Sequence, residues 1–491
     1  MNDTAKSYLN KLYDQLPYLI ICSGIILRIC LYIQNRSLIL DEVNVVRNIY
    51  ERSYTDLLHP LDYEQFAPPS FLWALKTMSL VSGFSEYCMR LYPLLCSIAG
   101  LWLFWLLLKK MIPQKAAILY PLLLMASGFI FIRYATEVKQ YAADVAITLA
   151  IVLLAIKTDI LQSNGRSFFA KWAISGALAI WFSMPSVFIL AGVFAYYSMI
   201  LIQAKRNEFI LLAGMGATWA ITFLIYYLLI LKPAIQSSYL QDFHKIYFIE
   251  LLPATINKSV HNFKLFADII GAWGGGTVLA IVFHLLLIFS GCLFLYRKNK
   301  SLLFLFAVPF ICLYVAAGLH QFTLLPRVVL FSMPLLLTLA GIGLGLLISI
   351  KSAAPKYIIF IAALICLFNV NKFEYIWAPY KNEDFIGGLK IVQQEHISGN
   401  HLHINYLMVP VYLYYTTIHP QKDKWKDLLG ADTMTWKTNF DSVAKTFQKD
   451  AIIYISYDES TLQKEIETDR KYCRSVTKKV FPGGEVVIAQ K

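Results

Sequence analysis

The sequence predicts a polytopic α-helical membrane protein that carries a C-terminal α/β domain outside the bilayer. Three observations predict it. The 491 residues are 58% hydrophobic and only 15% charged, whereas a soluble domain is about half apolar and about a quarter charged. Apolar runs of spanning length recur along the chain. From about residue 373 that pattern gives way to short strand-like and helix-like segments.

The first run begins at Pro17 and lacks a small-residue cleavage pattern, so it reads as a retained span. About eleven spans are expected, at 17–35, 91–110, 116–132, 142–157, 170–185, 186–203, 208–231, 277–296, 302–319, 328–349 and 355–371. Alternate connections, "KKMIPQK", "KTDILQSNGRSFFAK", "QAKRNE", "YRKNKS" and "KSAAPK", are basic. The positive-inside rule sets them in the cytoplasm with Lys6 and Lys11. The opposite set holds "DEVNVVRN", "RYATEVKQYAAD", the long 232–276 segment, "LHQFTLLPR" and the C-terminal tail.

This sorting requires that 69–85, "PSFLWALKTMSLVSG", does not cross. It opens with Pro68-Pro69 and carries Lys76, and reads as an interfacial helix. Residues 43–58 read likewise, with Val46, Ile49, Tyr50 and Leu57 at helical spacing. The division is therefore 1–372 for the transmembrane domain and 373–491 for a soluble extracytoplasmic domain. In the latter, "HLHINYLMVPVYLYY", "DAIIYISYD" and "EVVIAQK" read as strands, and "DSVAKTFQKD" and "STLQKEIETDRKY" as helices.

The net charge of +13 resides in short loops between spans. It is explained by topology, and no basic or aromatic nucleic-acid module is present. Seven of the eight cysteines lie in or beside apolar runs, which excludes a disulfide framework, and there is no CxxC pair.

The chemistry concentrates on one face. Asp41 and Glu42 follow the first span directly. In the second external loop Arg133, Glu137, Lys139 and Asp144 crowd between two spans, with Glu137, Gln140, Tyr141 and Asp144 at helical spacing. Ionisable groups at membrane depth are costly and line pathways or sites. Arg327 stands where a later span begins, near His320 and Gln321. A guanidinium there either snorkels to the interface or grips a phosphate with two hydrogen bonds. Arg90 has Glu86 as its expected partner, four residues away. Carboxylates, cations and a greasy groove together suit a lipid-linked phosphosugar.

The chain resembles the GT-C integral-membrane glycosyltransferases, in particular the bacterial protein O-mannosyltransferase and aminoarabinose-transferase-like group. The motifs that carry the resemblance are "DE" at 41–42, "YEQFAPPSFLWALK" at 63–76, "SEYCMRLYP" at 85–93, "EVKQYAAD" at 137–144 and "PRVVLFSMP" at 326–334. The resemblance implies Asp41 as catalytic base with Glu42 supporting it. It implies Glu137, Lys139, Asp144 and Arg327 as substrate-binding residues, with Arg133, Tyr63, Gln65 and His320 completing the set. A glutamate that some relatives carry near the proline pair maps onto Glu64 or onto no residue.

The implied activity is inverting transfer of a sugar from a polyprenyl-phosphate donor to an acceptor hydroxyl. The acceptor is a lipid, a glycan or a protein, and the enzyme works on the extracytoplasmic face of the bacterial inner membrane. Membrane lipids are its other partners. No cofactor and no metal are expected, because arginine can neutralise a single leaving phosphate. The alternative is a transporter or flippase of a lipid-linked saccharide. Among weaker features, His401 and His403 form HxH on an expected strand, and "GAWGGG" at 271–276 reads as a linker. Asp242, His244 and Lys245 belong to a lid-like loop or to a solvated one.

Overall fold

The computed structural model describes residues 3–350, 353–370, 373–378, 380, 383–396, 402–433, 452–456 and 475–490. The chain opens with α1 (Asp3–Ile33), which carries the first apolar run, and then turns into α2 (Leu40–Glu51) and α3 (Pro69–Ser82). At 14 residues α3 is about 21 Å long and too short to cross a hydrocarbon core of about 30 Å. The helical bundle continues with α4 (Glu86–Met111), α5 (Lys115–Ser127), α6 (Phe129–Arg133), α7 (Tyr141–Lys157), α8 (Gly165–Phe182), α9 (Ser186–Ala204) and α10 (Phe209–Tyr226). Two short helices, α11 (Lys232–Ile235) and α12 (Ser238–His244), then lead into α13 (Ile256–Gly274). The bundle closes with α14 (Val278–Lys298), α15 (Lys300–Gly318), α16 (Met333–Ile348) and α17 (Ala353–Val370).

Helices therefore occupy all eleven expected positions. Among the described residues seven are long and apolar enough to cross alone, and α5 with α6 makes an eighth, bent by 47°. Local chemistry fixes the helix starts. Ser85, Asn164, Thr277 and Asn299 each accept a backbone N–H in the first turn of α4, α8, α14 and α15. Lys109 and Lys110 end α4, and Arg297 and Lys298 end α14, where cations offset the helix dipole.

Small residues set the closest helix crossing. Gly291 of α14 faces the Leu339 carbonyl of α16, and Gly343 of α16 faces the Leu287 carbonyl of α14. A side chain at either would strike backbone, so the pair lets two spans touch in a setting with little hydrophobic drive. Arg28 fastens α1 to its neighbours. It donates to Ser97 Oγ at 2.8 Å, to the Gly24 and Ala126 carbonyls at 2.8 and 2.9 Å, and to the Met125 carbonyl at 3.0 Å.

After the bundle come α18 (Phe385–Gln394), β1 (His403–Ile404) and α19 (Val409–Leu413), followed by the strands β2 (Asp432–Thr433), β3 (Ile452–Ser456), β4 (Ser475–Phe481) and β5 (Gly484–Gln490). The last three form an antiparallel sheet in the order β3-β5-β4, and β1 pairs with β2 in parallel. Tyr454 faces Val487, and Phe481 faces Gly484 across a tight turn in which Gly483 takes φ +82°. Phe385, Leu389, Met408, Val411 and Tyr415 share one apolar core with Val43, Val46, Phe71 and Leu75 of α2 and α3.

Two expectations are corrected here, and one strand was missed. The strand read over 401–415 is a strand only at β1; α19 and a wide helical turn over Tyr414–Ile418 follow it. Continuous apolar runs of this length do not discriminate strand from buried helix. Strand β4 passes unread because its lysines mask the alternation. The "GAWGGG" stretch is no free linker, since α13 continues through Gly274 before Gly275 breaks it at φ +100°. The helices expected at 441–450 and 460–472 lie outside the described residues, as does His401.

Candidate active site

The segment between α1 and α2 is held almost atom by atom. The Arg90 guanidinium donates to the carbonyls of Arg36 and Ser37 at 2.5 and 3.0 Å. Leu38 N–H donates to Tyr415 Oη at 2.9 Å, Ile39 N–H to Glu42 at 3.1 Å, and Leu40 N–H to Glu383 at 3.0 Å. Ser37 Oγ donates to Asp384 at 3.1 Å. Three of these partners come from the C-terminal part of the chain, more than 340 residues away. Tyr415 in turn donates to Glu86 at 2.9 Å, and His419 Nε2 bonds the other Glu86 oxygen at 2.9 Å. The helix that starts at Leu40 therefore begins at a fixed place.

Glu42 is the hub. It is fully buried and accepts from Arg90 Nε and Nη2 at 2.9 and 2.6 Å, from Val138 N–H at 2.9 Å and from Ile39 N–H. Arg36 Nη1 lies 3.7 Å away. Burial alone would raise its pKa, but the two guanidiniums and the donated hydrogen bonds outweigh that and hold it at about 2. Glu42 therefore has its four acceptor positions filled next to Asp41. One expectation is corrected: Arg90 spends its side-chain hydrogen bonds on Glu42 and the 36–37 carbonyls, not on Glu86.

Glu137 and Arg133 stand behind the site in the same way. Arg133 Nε donates to Glu137 at 2.7 Å and its guanidinium lies 5.4 Å from the Tyr134 ring, while Arg36 approaches Glu137 to 3.9 Å. Neither lines the cavity.

The cavity itself has a volume of about 780 Å³. Asp41, Tyr63, Gln65, Lys139, Asp144, His320 and Arg327, seven of the expected site residues, line it. Its apolar lining includes Leu231, Ile235, Phe243, Phe248, Phe322 and Val328, and Tyr406, Leu407 and Pro410 line it from the C-terminal part. These segments all belong to the connections that the charge pattern sorts onto one face.

Asp41 stands in the first turn of α2 with its side chain 41% exposed, one residue from the buried Glu42. Its Oδ2 lies 3.8 Å from Arg327 Nη1. Arg327 Nε is buried without a hydrogen bond. Lys139 donates to Gln65 Oε1 at 2.7 Å, and its pKa is lowered, first by burial and then by Arg327, against the pull of Asp41. Tyr63 and Glu64 both adopt left-handed backbone, φ +63° and +53°, which costs a non-glycine residue about 1–3 kcal/mol. Arg47 lies 4.3 Å over the Tyr63 ring and Glu51 accepts its hydroxyl at 3.2 Å, which holds the turn. Glu64 faces the cavity and accepts from Ser237 Oγ at 2.5 Å. His320 stacks on Phe248 at 4.7 Å.

Of the lid-like trio, His244 lines the cavity, while Asp242 and Lys245 do not. Burial, then Arg327, lowers the pKa of His244. Asn44 and Gln140 also line the cavity and were not singled out from sequence as binding residues. Their signal was Asn44 three residues after Asp41, and Gln140 four before Asp144. Among the described residues no three of His, Cys, Asp or Glu gather as a metal site.

No family model matches the chain, and no curated protein does. Among solved structures, the chain is similar to ArnT, an aminoarabinose transferase, from Cupriavidus metallidurans bound to undecaprenyl phosphate. The identity is 12% and the TM-score 0.52, over 96% of this chain and 97% of that one. The apo form of the same protein gives 11% and 0.51, over 99% and 98%. Across essentially its whole length this chain shares the fold of ArnT, and it is an integral membrane protein.

Proposed function

We propose that the protein is an inverting membrane glycosyltransferase that moves a sugar from a polyprenyl-phosphate donor to an acceptor hydroxyl. The observation that carries this reading is the pairing of an accessible Asp41 carboxylate with Arg327 at 3.8 Å inside a cavity lined by both charged and apolar side chains. The apolar lining suits a prenyl tail. Arg327 and Lys139 suit its phosphate.

Asp41 removes the proton from the acceptor hydroxyl as that oxygen bonds to the anomeric carbon. The bond from that carbon to the phosphate oxygen breaks, and its electron pair leaves on the lipid phosphate. Arg327 and Lys139 stabilise the charge that develops there. A general base of this kind contributes about 10²–10⁴-fold. Two cations beside a single phosphate make a divalent metal unnecessary. The positive-inside pattern supports an extracytoplasmic position for this face of the bundle, in a bacterial inner membrane. Lipid, glycan and protein hydroxyls all remain candidate acceptors. The fold shared with a protein bound to undecaprenyl phosphate supports a lipid-linked donor.

The test is purified protein in nanodiscs with radiolabelled polyprenyl-phosphate sugars and a mixture of envelope acceptors. Transfer should survive a chelator and fall about 10²–10⁴-fold in Asp41→Asn while undecaprenyl phosphate still binds. Full activity in Asp41→Asn would refute the base. Movement of the donor between leaflets without product would instead identify a transporter.

A further inference from the structure

The cavity wall formed by α2 and the start of α7 carries acceptor oxygens with no partner. Asn44 and Gln140 are 8% and 9% exposed, and Asp144 is 3% exposed. Asn44 Oδ1, Gln140 Oε1 and Asp144 Oδ1 are all buried without a hydrogen bond. The three residues line one cavity. Val138 N–H, bonded to Glu42 at 2.9 Å, holds the two elements side by side. Among the described residues no cation lies within ion-pair distance of Asp144. Ser183 faces it, but the Ser183 hydroxyl is likewise without a hydrogen bond.

Neighbouring residues show what a structural amide looks like here. Asn48, one turn beyond Asn44, donates to the carbonyls of Asn44 and Asp62 at 2.8 and 3.1 Å and accepts from Asp62 N–H at 2.9 Å. Asn44 uses only its backbone in that network. Gln140 precedes the first turn of α7, yet its side chain does not cap the helix; its carbonyl takes the Asp144 N–H at 2.9 Å. A buried polar group left unmade costs about 1–3 kcal/mol, and a buried unpaired carboxylate costs more. These groups fit a ligand that brings donors.

Resting on the transferase reading above, we propose that Asn44 and Gln140, with Asp144, form the subsite that receives the hydroxyl groups of the transferred sugar. A sugar hydroxyl donates to an acceptor and also accepts from an amide N–H, which either amide can supply by rotating. The cations of the cavity, Arg327 and Lys139, serve the phosphate. Asp144 stands with the two amides and, among the described residues, has no cation within ion-pair distance, while Lys139 and Arg327 are taken up by the phosphate, so the sugar this subsite selects carries no negative charge.

The test compares binding of bare undecaprenyl phosphate with mannosyl-, glucosyl-, galactosyl-, arabinosyl- and glucuronosyl-undecaprenyl phosphate, to wild type and to the near-isosteric variants Asn44→Leu and Gln140→Met. At least one uncharged sugar should tighten binding about tenfold or more over the bare lipid, and glucuronosyl should not. Each variant should lose about tenfold for the sugar-bearing lipid, the value of one hydrogen bond of about 1.4 kcal/mol. Each should bind bare undecaprenyl phosphate as wild type does and melt no lower, because it removes an unmade hydrogen bond. A fall in melting temperature, or equal loss for bare and sugar-bearing lipid, overturns the subsite. A preference for glucuronosyl does the same. If wild type binds neither bare nor sugar-bearing lipid, the donor reading fails instead.

Discussion

Asp41 and Glu42 are adjacent carboxylates with opposite fates, and the difference is the turn of a helix. One residue of rotation takes the side chain from an accessible cavity wall to a site sealed by two guanidiniums. Glu42→Gln would leave Arg90 buried without its ion-pair partner and Arg36 with Glu137 alone, and removal of one partner of a buried pair costs about 3–5 kcal/mol. We expect a lower melting temperature in detergent micelles. The pH dependence has a defined direction. Because Arg90 and Arg36 hold the folded carboxyl below its unfolded range, its stabilisation is complete above about pH 4.5 and is lost progressively as pH falls below that. In Glu42→Gln that part of the acid sensitivity should vanish; a variant whose melting curve tracked wild type across this window would deny Glu42 its role. At this scale the sequence was informative about which loops hold charge, because charge at the end of a span is rare and costly. Spacing alone could not separate the accessible carboxylate from the buried one, since both sit on the same short stretch; only the family resemblance assigned them different roles. Arg90 illustrates the same limit. Helical spacing offers Glu86, four residues before it, while the fold brings Glu42 from 48 residues away.

Element by element, the start of α2 depends on partners far along the chain. Tyr415 bridges Leu38 N–H and Glu86, and His419 takes the other Glu86 oxygen. Tyr415→Phe keeps the ring in the shared core and removes the bridge. If the bridge positions Asp41, hydrogen exchange of the 38–44 amides should quicken, and turnover should fall about tenfold with little change in binding of bare undecaprenyl phosphate. Unaltered exchange at these amides would show that the hydroxyl is dispensable. The helices were readable because long apolar runs recur, and helices lie at all eleven expected positions, although among the described residues only seven, or eight with the bent α5–α6 pair, are long and apolar enough to cross. The stretch 405–415 was not. Its apolar run suits either a strand or a buried helix, and the choice falls to its packing against α2 and α3. Nothing in a single sequence states that partner.

On the scale of the whole molecule, one end of the bundle gathers the connections after α1, before α7, after α10 and before α16 around a single cavity. Alternation of basic and acidic loops made that gathering legible, since it sorts connections by side before any contact is known. The lining of the cavity by Tyr406, Leu407 and Pro410 was not legible, because it depends on how the C-terminal part folds back. Removal of residues 373–491 should therefore leave a membrane-inserted bundle that has lost transfer activity, measured in nanodiscs against the full chain. Retained activity would make the C-terminal part an accessory.

The tether from Tyr415, Glu383 and Asp384 to residues 37–40 also carries a consequence for biogenesis. A nascent chain that has completed all its spans still lacks the hydroxyl and carboxylates that fix the first turn of α2. On the transferase reading, the site would therefore be completed only once the C-terminal part has folded back onto residues 37–40.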